Sequence, residues 1–291
     1  MRIHHVNCGT MCPVGGFLFY GNRDRSLRRL TCHCLLIETD RDGLVLVDTG
    51  FGMRDVRKPR PRLSPFFLTM NRPQFNEAET ALRQIEARGF SAGDVRHIVL
   101  THLDFDHAGG IEDFPGATVH LLDLERRAST VGRRTFLARQ RYRPMQWDED
   151  IRWQDYAAGG ESWFGFDSVR DLRGLPPEIL LIPLIGHTFG HCGVAVQQGD
   201  KWILNAGDAY FYAAEMDLEN PSCTPGLRFY QKMMEVDRPA RLRNQDRLRA
   251  LLRDQAGTID IFCAHDSVEY GRHIGVETAI PAATFQPSAA H

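Results

Sequence analysis

The chain has 291 residues, of which 43% are hydrophobic and 25% are charged, and its formal net charge at pH 7 is −2. This length accommodates one large layered α/β domain, and no apolar run approaches the roughly 18 residues of a membrane-spanning helix. The near-neutral charge provides no general attraction for nucleic acid or acidic lipid. We therefore expect neither nucleic-acid nor membrane partners.

The first residues and the cysteines predict a location. Residues 1–6 lack the continuous apolar stretch of a secretory signal. The seven cysteines are an odd number in a chain of this length, which favours free thiols in a reducing compartment. The sequence therefore predicts a cytoplasmic protein.

Strand patterns open the chain. Apolar and β-branched runs predict strands at residues 3–6, 16–20, 31–39 and 44–47, which together indicate an antiparallel sheet. The arginine-rich and proline-broken residues 54–62 are expected to form a solvated loop, and residues 77–88 a helix.

Buried-type strand patterns continue to the end of the chain around one irregular stretch. The predicted strands are residues 95–100, 117–122, 179–184, 193–197, 201–205 and 259–263, with a helix at 239–254. Between about 126 and 177 the pattern loosens, and Trp147, Trp153 and Trp163 concentrate there. We expect one domain over residues 1–291 with this aromatic-rich insert, and a frayed end at 287–291.

Four side chains that can bind metal lie within six residues of one another: His102, Asp104, Asp106 and His107. Two histidines and two aspartates packed this closely would repel one another and lose hydration unless a cation compensates them. Imidazole and carboxylate together suit zinc, iron or manganese. The pattern therefore predicts a metal site after the strand at 95–100.

Three later strands each end in a residue that can also bind metal. These residues are His187, Asp208 and His265, and each lies where a loop can project a side chain. His191 follows shortly after His187 in the segment Gly186-His187-Thr188-Phe189-Gly190-His191. Loops from distant parts of the chain are thus expected to meet at one site.

This ordered set resembles the metallo-β-lactamase-like superfamily, whose members carry H-x-H-x-D-H, then G-H-T-x-G-H, then G-D and a late histidine. The resemblance extends over about residues 1–270 and is strongest to the lactonase-like branch, because D-H-A-G-G and G-D-A recur in enzymes that open acyl-homoserine lactones. It implies a four-layer αββα sandwich with two divalent metal ions at one edge of the sheets. Zinc is the first expectation.

The resemblance also implies a role for each residue. His102 and His187 would bind the first metal, Asp106, His107 and His265 the second, and Asp208 would bridge both. Asp106 would also orient the attacking hydroxide, so that Asp106 and Asp208 are the predicted catalytic residues. His191 matches a motif position that is usually not a ligand and is expected to support the site or the substrate pocket.

Asp104 departs from the family pattern, because it stands where the family has its second histidine. A third aspartate facing two dications makes the centre less positive, which favours a harder metal such as manganese or iron. Alternatively, Asp104 does not reach the metals and one metal site is weak or empty. Both alternatives remain open at the level of sequence.

The implied reaction is attack by a metal-bound hydroxide on a carboxylic ester or lactone. Tyr210 and Tyr212 flank the position of a substrate-binding tyrosine in the lactonases, and Phe211 occupies it. With His191 and the three tryptophans of the insert, these tyrosines are the predicted substrate-binding residues for a small molecule with an acyl chain.

Other interpretations remain open. The insert could instead form a lid or the interface of a homodimer. A thioester hydrolase of the glyoxalase II kind is the alternative enzyme, and it would be indicated by residues 54–62 approaching the metals. A degenerate member that binds metal without turnover is the third interpretation.

Overall fold

The protein was analysed as a computed structural model that describes residues 1–133, 135–147, 150–168 and 172–275. The end predicted to fray, residues 287–291, lies outside the described residues. None of the helices in the described part of the chain combines the length and the apolar character that a membrane span requires.

Most strands form where apolar and β-branched residues run continuously. They are β1 Arg2–Met11, β2 Leu30–Glu38, β3 Leu44–Val47, β4 Pro73–Gln74, β5 Val95–Val99, β6 Thr118–Leu122, β7 Arg152–Tyr156, β8 Glu161–Trp163, β9 Phe166–Ser168, β10 Ile179–Pro183, β11 Cys192–Gln198, β12 Lys201–Asn205 and β13 Ile259–Phe262. The central strands are buried along nearly their whole length, which is typical of strands covered on both faces.

Several helices begin at a side-chain cap followed by proline, as at Asp237 before the longest helix. The helices are α1 Phe17–Tyr20, α2 Met53–Arg57, α3 Pro59–Arg62, α4 Pro65–Asn71, α5 Ala81–Glu86, α6 Phe105–Ala108, α7 Asp123–Thr130, α8 Phe136–Arg141, α9 Pro225–Met234, α10 Arg238–Asp254 and α11 Ser267–His273.

Two sheets pack face to face with helices outside them. The first sheet has the strand order β4-β1-β2-β3-β5-β6-β7, and the second has the order β10-β11-β12-β13. Residues such as Leu35, Val47 and Val194 fill the space between the sheets, while two further apolar cores lie beneath the outer helices. The fold is therefore the predicted αββα sandwich, an arrangement that buries both faces of each sheet.

Two sequence-based expectations for local structure are wrong. Residues 16–20 form the short helix α1 and not a strand, because Gly16 and Gly21, at φ of 50° and 59°, turn the chain sharply on either side of it. Residues 54–62 form α2 and α3 and not a solvated loop. Arg62 is buried there because it pairs with Asp55 at 2.9 Å.

The stretch 126–177 is more closely integrated than an insert lying over the fold. Its strand β7 extends the first sheet by pairing in parallel with β6. Its hairpin of β8 and β9 contributes Trp163 and Phe166 to the core beneath the second sheet. Parts of this stretch therefore complete both layers of the sandwich.

Candidate metal centre

Strand ends bring the predicted ligands to one edge of the sandwich. β3 and β5 are parallel, and Val47 pairs with Val99, so the loops that follow them lie side by side. In the second sheet β12 and β13 are parallel, and Asn205 pairs with Phe262. Asp208 and His265 each lie three residues beyond that pair, so the parallel register places them together.

The seven predicted ligands form two adjoining groups. The first consists of His102, Asp104, His187 and Asp208, and the second of Asp106, His107 and His265; within each group one ligand atom per residue lies within 4.8 Å of the others. All seven side chains are buried. The structure thus brings together every residue that the sequence assigned to the metals.

Asp208 lies between the two groups. Its Oδ1 is 3.2 Å from Nε2 of His107 and 3.0 Å from Nε2 of His265. Its Oδ2 is 3.3 Å from Nε2 of His187. One carboxylate therefore points an oxygen at each group, which is the arrangement that a bridging ligand requires.

A buried polar atom without a hydrogen bond shows that these residues fit metal ions. Within the described residues, Nε2 of His102 is buried without a hydrogen bond, which is costly unless a cation binds it. Nε2 of His107 and Nε2 of His265 face each other at 3.3 Å. Imidazole nitrogens and carboxylate oxygens are zinc-type ligands, so the donor set suits two such divalent ions.

The other ring nitrogen of two ligands is fixed by hydrogen bonds. Nδ1 of His107 lies 2.9 Å from Oδ2 of Asp48, and Nδ1 of His265 lies 2.7 Å from the carbonyl oxygen of Thr31. These contacts hold the proton on Nδ1 and leave the Nε2 lone pair directed into the site. Asp48 also accepts the backbone N–H of Thr101 at 2.8 Å, so it fixes both the turn and the ligand.

Without a cation, the charges of the site act on one another. Burial opposes protonation of His107, but Asp208 and Asp48 outweigh it and hold the pKa of His107 well above its usual range. Burial likewise opposes ionisation of Asp208, but His265 and His107 hold the pKa of Asp208 well below its usual range. Metal binding to the histidines is therefore expected to release protons.

Asp104 belongs to the first group and also contacts an arginine. Its Oδ2 lies 3.1 Å from Nε2 of His187 and 3.5 Å from Nε2 of His102. Its Oδ1 lies 2.9 Å from Nε of Arg141, which is 2% exposed. The alternative in which Asp104 does not reach the first metal position therefore receives no support from the structure.

Glu125, at the start of α7, was not identified from the sequence. Its Oε1 accepts hydrogen bonds from the backbone N–H of Leu103 and from Tyr142, both at 3.0 Å. Its Oε2 accepts hydrogen bonds from Thr188 at 2.6 Å and from the backbone N–H of Gly190 at 3.1 Å. One buried carboxylate thus ties the loop of His102 and Asp104 to the loop of His187.

The glycine at position 190 is required by this close approach. A Cβ added there would lie 2.2 Å from the backbone nitrogen of Glu125. The glycine of the G-H-T-x-G-H pattern is thus the sequence signal that another element packs against this loop. The sequence around this glycine does not indicate that the packing element is α7.

His191 is fully buried and lies behind Asp208. Its Nδ1 donates to the carbonyl oxygen of Leu184 at 2.9 Å, and its Nε2 accepts the backbone N–H of Asp208 at 2.9 Å. Burial lowers the pKa of His191 to about 3, so the ring stays neutral. Both ring nitrogens are used, which fits a residue that positions Asp208.

The residues flanking Phe211 occupy different surroundings. Tyr210 is fully buried and donates to Glu269 at 2.9 Å. Tyr212 is half-buried beneath the guanidinium of Arg23, 4.1 Å from its ring centre. Phe211 is the one that reaches the metal centre, with its ring stacked 4.9 Å from that of His265. An apolar ring therefore occupies the position at which the lactonase resemblance implies a tyrosine.

The three tryptophans of the 126–177 stretch pack in two separate cores. Trp163 is 3% exposed and lies 5.4 Å from Trp202 beneath the second sheet. Trp147 and Trp153 pack against the core outside the first sheet. Arg126 also covers the ring of Trp153 at 5.0 Å. These contacts give the tryptophans structural partners in two different cores.

The basic segment 54–62 is largely neutralised by acidic residues. Arg54 pairs with Glu112 at 2.9 Å, and Arg57 pairs with Glu77 at 2.7 Å. A cavity of about 300 Å³ along this segment is lined by residues 53–54, 57–58, 60–62 and 145, so among the described residues it includes no predicted ligand.

Comparisons with known proteins agree with this geometry. The model of the metallo-beta-lactamase superfamily matches residues 27–258. A probable metallo-hydrolase of Mycobacterium tuberculosis is 41% identical over 268 residues, which cover 91% of this chain and 80% of the relative. An N-acyl homoserine lactonase of Bacillus thuringiensis subsp. kurstaki is 32% identical over 84 residues, which cover 29% of this chain and 33% of the lactonase.

A solved structure shows the same fold over nearly the whole chain. It is an N-acyl homoserine lactone hydrolase with the product N-hexanoyl-L-homoserine bound at its catalytic metal center, with a TM-score of 0.66 and 20% identity over 93% of this chain and 95% of that chain. The fold, the buried ligand groups and the family match lead to one conclusion: this chain belongs to the metallo-beta-lactamase superfamily.

Proposed function

We propose that this protein is a metal-dependent hydrolase that cleaves a carboxylic ester or lactone carrying an apolar arm. The observation that carries the proposal is the placement of Asp208 between two buried ligand groups beside the apolar ring of Phe211. The similarity to lactonases supports the choice of a cyclic or open ester.

Two divalent ions bound in such a site would lower the pKa of a water and polarise the substrate carbonyl. The residues of the chain supply the remaining parts of the chemistry. Asp208 would hold the two groups together, with one oxygen toward each. Asp106, a member of the second ligand group, would orient the attacking water.

An apolar cluster adjoins the metal centre. The ring of Phe211 lies 5.8 Å from that of Tyr230, and both belong to an apolar cluster that includes Tyr20. The helices α1 and α9 lie against each other and also carry exposed rings, since Phe17 of α1 is 60% exposed and Phe229 of α9 is 65% exposed. Exposed apolar rings beside a polar site are typical of a binding surface for an apolar group.

The arm-binding surface proposed here differs from the one that the sequence suggested. Trp163 is buried in a core, whereas Tyr20 of α1 and Tyr230 of α9 belong to the same apolar cluster as Phe211.

We propose zinc as the metal because the donor set contains four imidazoles. The free state of all seven cysteines supports the proposed cytoplasmic location, and a homodimer remains a prediction.

The test is hydrolysis of two homologous series, esters and lactones, with increasing acyl length by metal-replete protein. Phe229→Ala should lower kcat/KM about tenfold for long chains and much less for short ones, because only a long arm reaches this ring. Phe164→Ala is the matched control, since Phe164 is also exposed but belongs to the hairpin of β8 and β9.

Two results would contradict the proposal. Absence of ester and lactone hydrolysis by metal-replete protein would reject the reaction class. Equal losses of kcat/KM for short and long substrates, or a larger loss in the Phe164 variant, would show that the acyl arm binds at another surface.

A further inference from the structure

We propose that Arg141 is a positioning residue of the metal centre, which holds Asp104 as an oxygen ligand and restores the positive charge that this aspartate removes. The inference rests on the metal-dependent function proposed above. It concerns a residue that no sequence motif identified, at the end of α8.

The position of Arg141 is fixed by contacts to three segments. Its Nε lies 2.9 Å from Oδ1 of Asp104. Its Nη1 donates to the carbonyl oxygen of His187 at 3.2 Å, and its Nη2 donates to that of Met234 at 2.9 Å. Two backbone carbonyls therefore hold the guanidinium, and it holds the carboxylate in turn.

The two oxygens of Asp104 have separate partners. Oδ1 faces Arg141, while Oδ2 lies 3.1 Å from Nε2 of His187 and 3.5 Å from Nε2 of His102. Because rotation of the carboxylate would break the arginine contact, Oδ2 stays directed at the first ligand group. Partners of this kind orient metal ligands and raise metal affinity.

The positive charge of Arg141 also supports its role at the metal centre. A guanidinium remains protonated in proteins, so Arg141 cancels the charge of Asp104. The neutral pair then replaces the neutral histidine that the family pattern has at this position. The expectation that Asp104 makes the centre less positive is therefore revised, because it counted Asp104 without the buried arginine beside it.

Substitution of Asp104 alone should disturb the charge balance of the site. Replacing Asp104 alone by histidine leaves the buried charge of Arg141 without its carboxylate and next to a cation, which is unfavourable. Asp104→His alone should therefore lower zinc affinity, although histidine is the residue that the family pattern has at this position. The residues at 104 and 141 should be exchangeable only as a pair.

The experiment is a double-mutant cycle of Asp104→His, Arg141→Met and the double variant, read out by metal affinity and not by activity. Zn²⁺ and Co²⁺ dissociation constants are measured by chelator competition, and the visible spectrum of the Co²⁺ protein reports the ligand geometry. Arg141→Lys tests whether charge alone is sufficient. Arg62→Met is the control, because Arg62 is equally buried and pairs with Asp55.

Each single variant should weaken the first metal about 10- to 100-fold and change the Co²⁺ spectrum. The double variant should return to within about threefold of the wild-type affinity, as the exchanged pair is again neutral. Arg141→Lys should recover part of the loss. Arg62→Met should lower the stability of the protein without weakening either metal.

Three outcomes would overturn the proposal: wild-type affinity in Arg141→Met, a loss no larger than that of Arg62→Met, or a double variant no tighter than Asp104→His alone. If Arg141→Met does not fold, the last comparison decides. Wild-type protein that shows this metal pattern but hydrolyses neither ester nor lactone would reject the proposed reaction and leave the role of Arg141 intact.

Discussion

Replacing Glu125 by glutamine tests whether a side chain that touches no metal holds the ligand loops together. Glutamine has the same shape, but one carboxylate oxygen becomes an NH₂ group, which cannot accept a hydrogen bond. In either orientation the NH₂ group faces one backbone N–H and one hydroxyl; the hydroxyl of Tyr142 or Thr188 can turn to accept from it, but the backbone N–H loses its acceptor. That N–H belongs to Leu103 in one orientation and to Gly190 in the other.

The expected cost follows from burial. Glu125 is 0% exposed, and one buried donor without a partner costs about 1–3 kcal/mol in the free energy of unfolding. That is a substantial part of the roughly 5–15 kcal/mol of a typical domain. Loosening of the two ligand loops should also weaken the first metal about 10- to 100-fold.

The assay pairs urea unfolding of the metal-free protein with chelator competition for Zn²⁺. Glu86→Gln is the control, because Glu86 is exposed and pairs with Arg83 at the surface, where such pairs contribute at most about 1 kcal/mol. If Glu125→Gln shows the unfolding midpoint and the Zn²⁺ affinity of Glu86→Gln, the reasoning about this carboxylate is refuted.

Three further predictions concern the ligands and the acid stability. Asp208→Ala should abolish hydrolysis and weaken both metals while the circular dichroism spectrum is retained, and retention of two tightly bound metals would contradict its bridging position. Asp48→Asn should weaken the metal at His107 about 10- to 100-fold, measured by the same competition; unchanged affinity would show that the 2.9 Å contact has no role. Burial lowers the pKa of His5 to about 3 and that of His273 to about 4, so between about pH 6.5 and 4 the unfolded chain binds more protons and stability falls as the pH falls. His273→Gln should flatten this dependence in urea unfolding of metal-free protein, and an unchanged slope would assign it to other groups.

The sequence allowed the fold class and most strands to be predicted. β3 and β12 were predicted at their observed bounds, because short runs such as Leu44–Val47 are apolar throughout and end in turn residues. The helix at 17–20 was missed because its apolar residues give no helical period over so short a length. The prediction of a solvated loop at residues 54–62 was wrong because a run of charged residues usually indicates exposure to solvent. The pairing of Arg62 with Asp55, which allows Arg62 to be buried, is visible only in the structure.

The candidate ligands could be named from the sequence because metal chemistry restricts both the residue types and their spacing. Four of them share one loop, and the others each end a strand. Their catalytic roles remain proposals. Aromatic residues were less informative, since Trp163 in a core and Phe211 beside a ligand look alike in sequence.

By itself, therefore, the sequence determined most strands and the set of metal-competent side chains, because each depends on residue types at short and regular spacing, and its resemblance to a known family implied the αββα class. Only the tertiary structure decided that Arg141 accompanies Asp104 and that Glu125 joins two ligand loops. A buried charge needs a partner, but that partner can come from any part of the chain. Distance in the folded molecule, and not separation along the sequence, determines which residue supplies it.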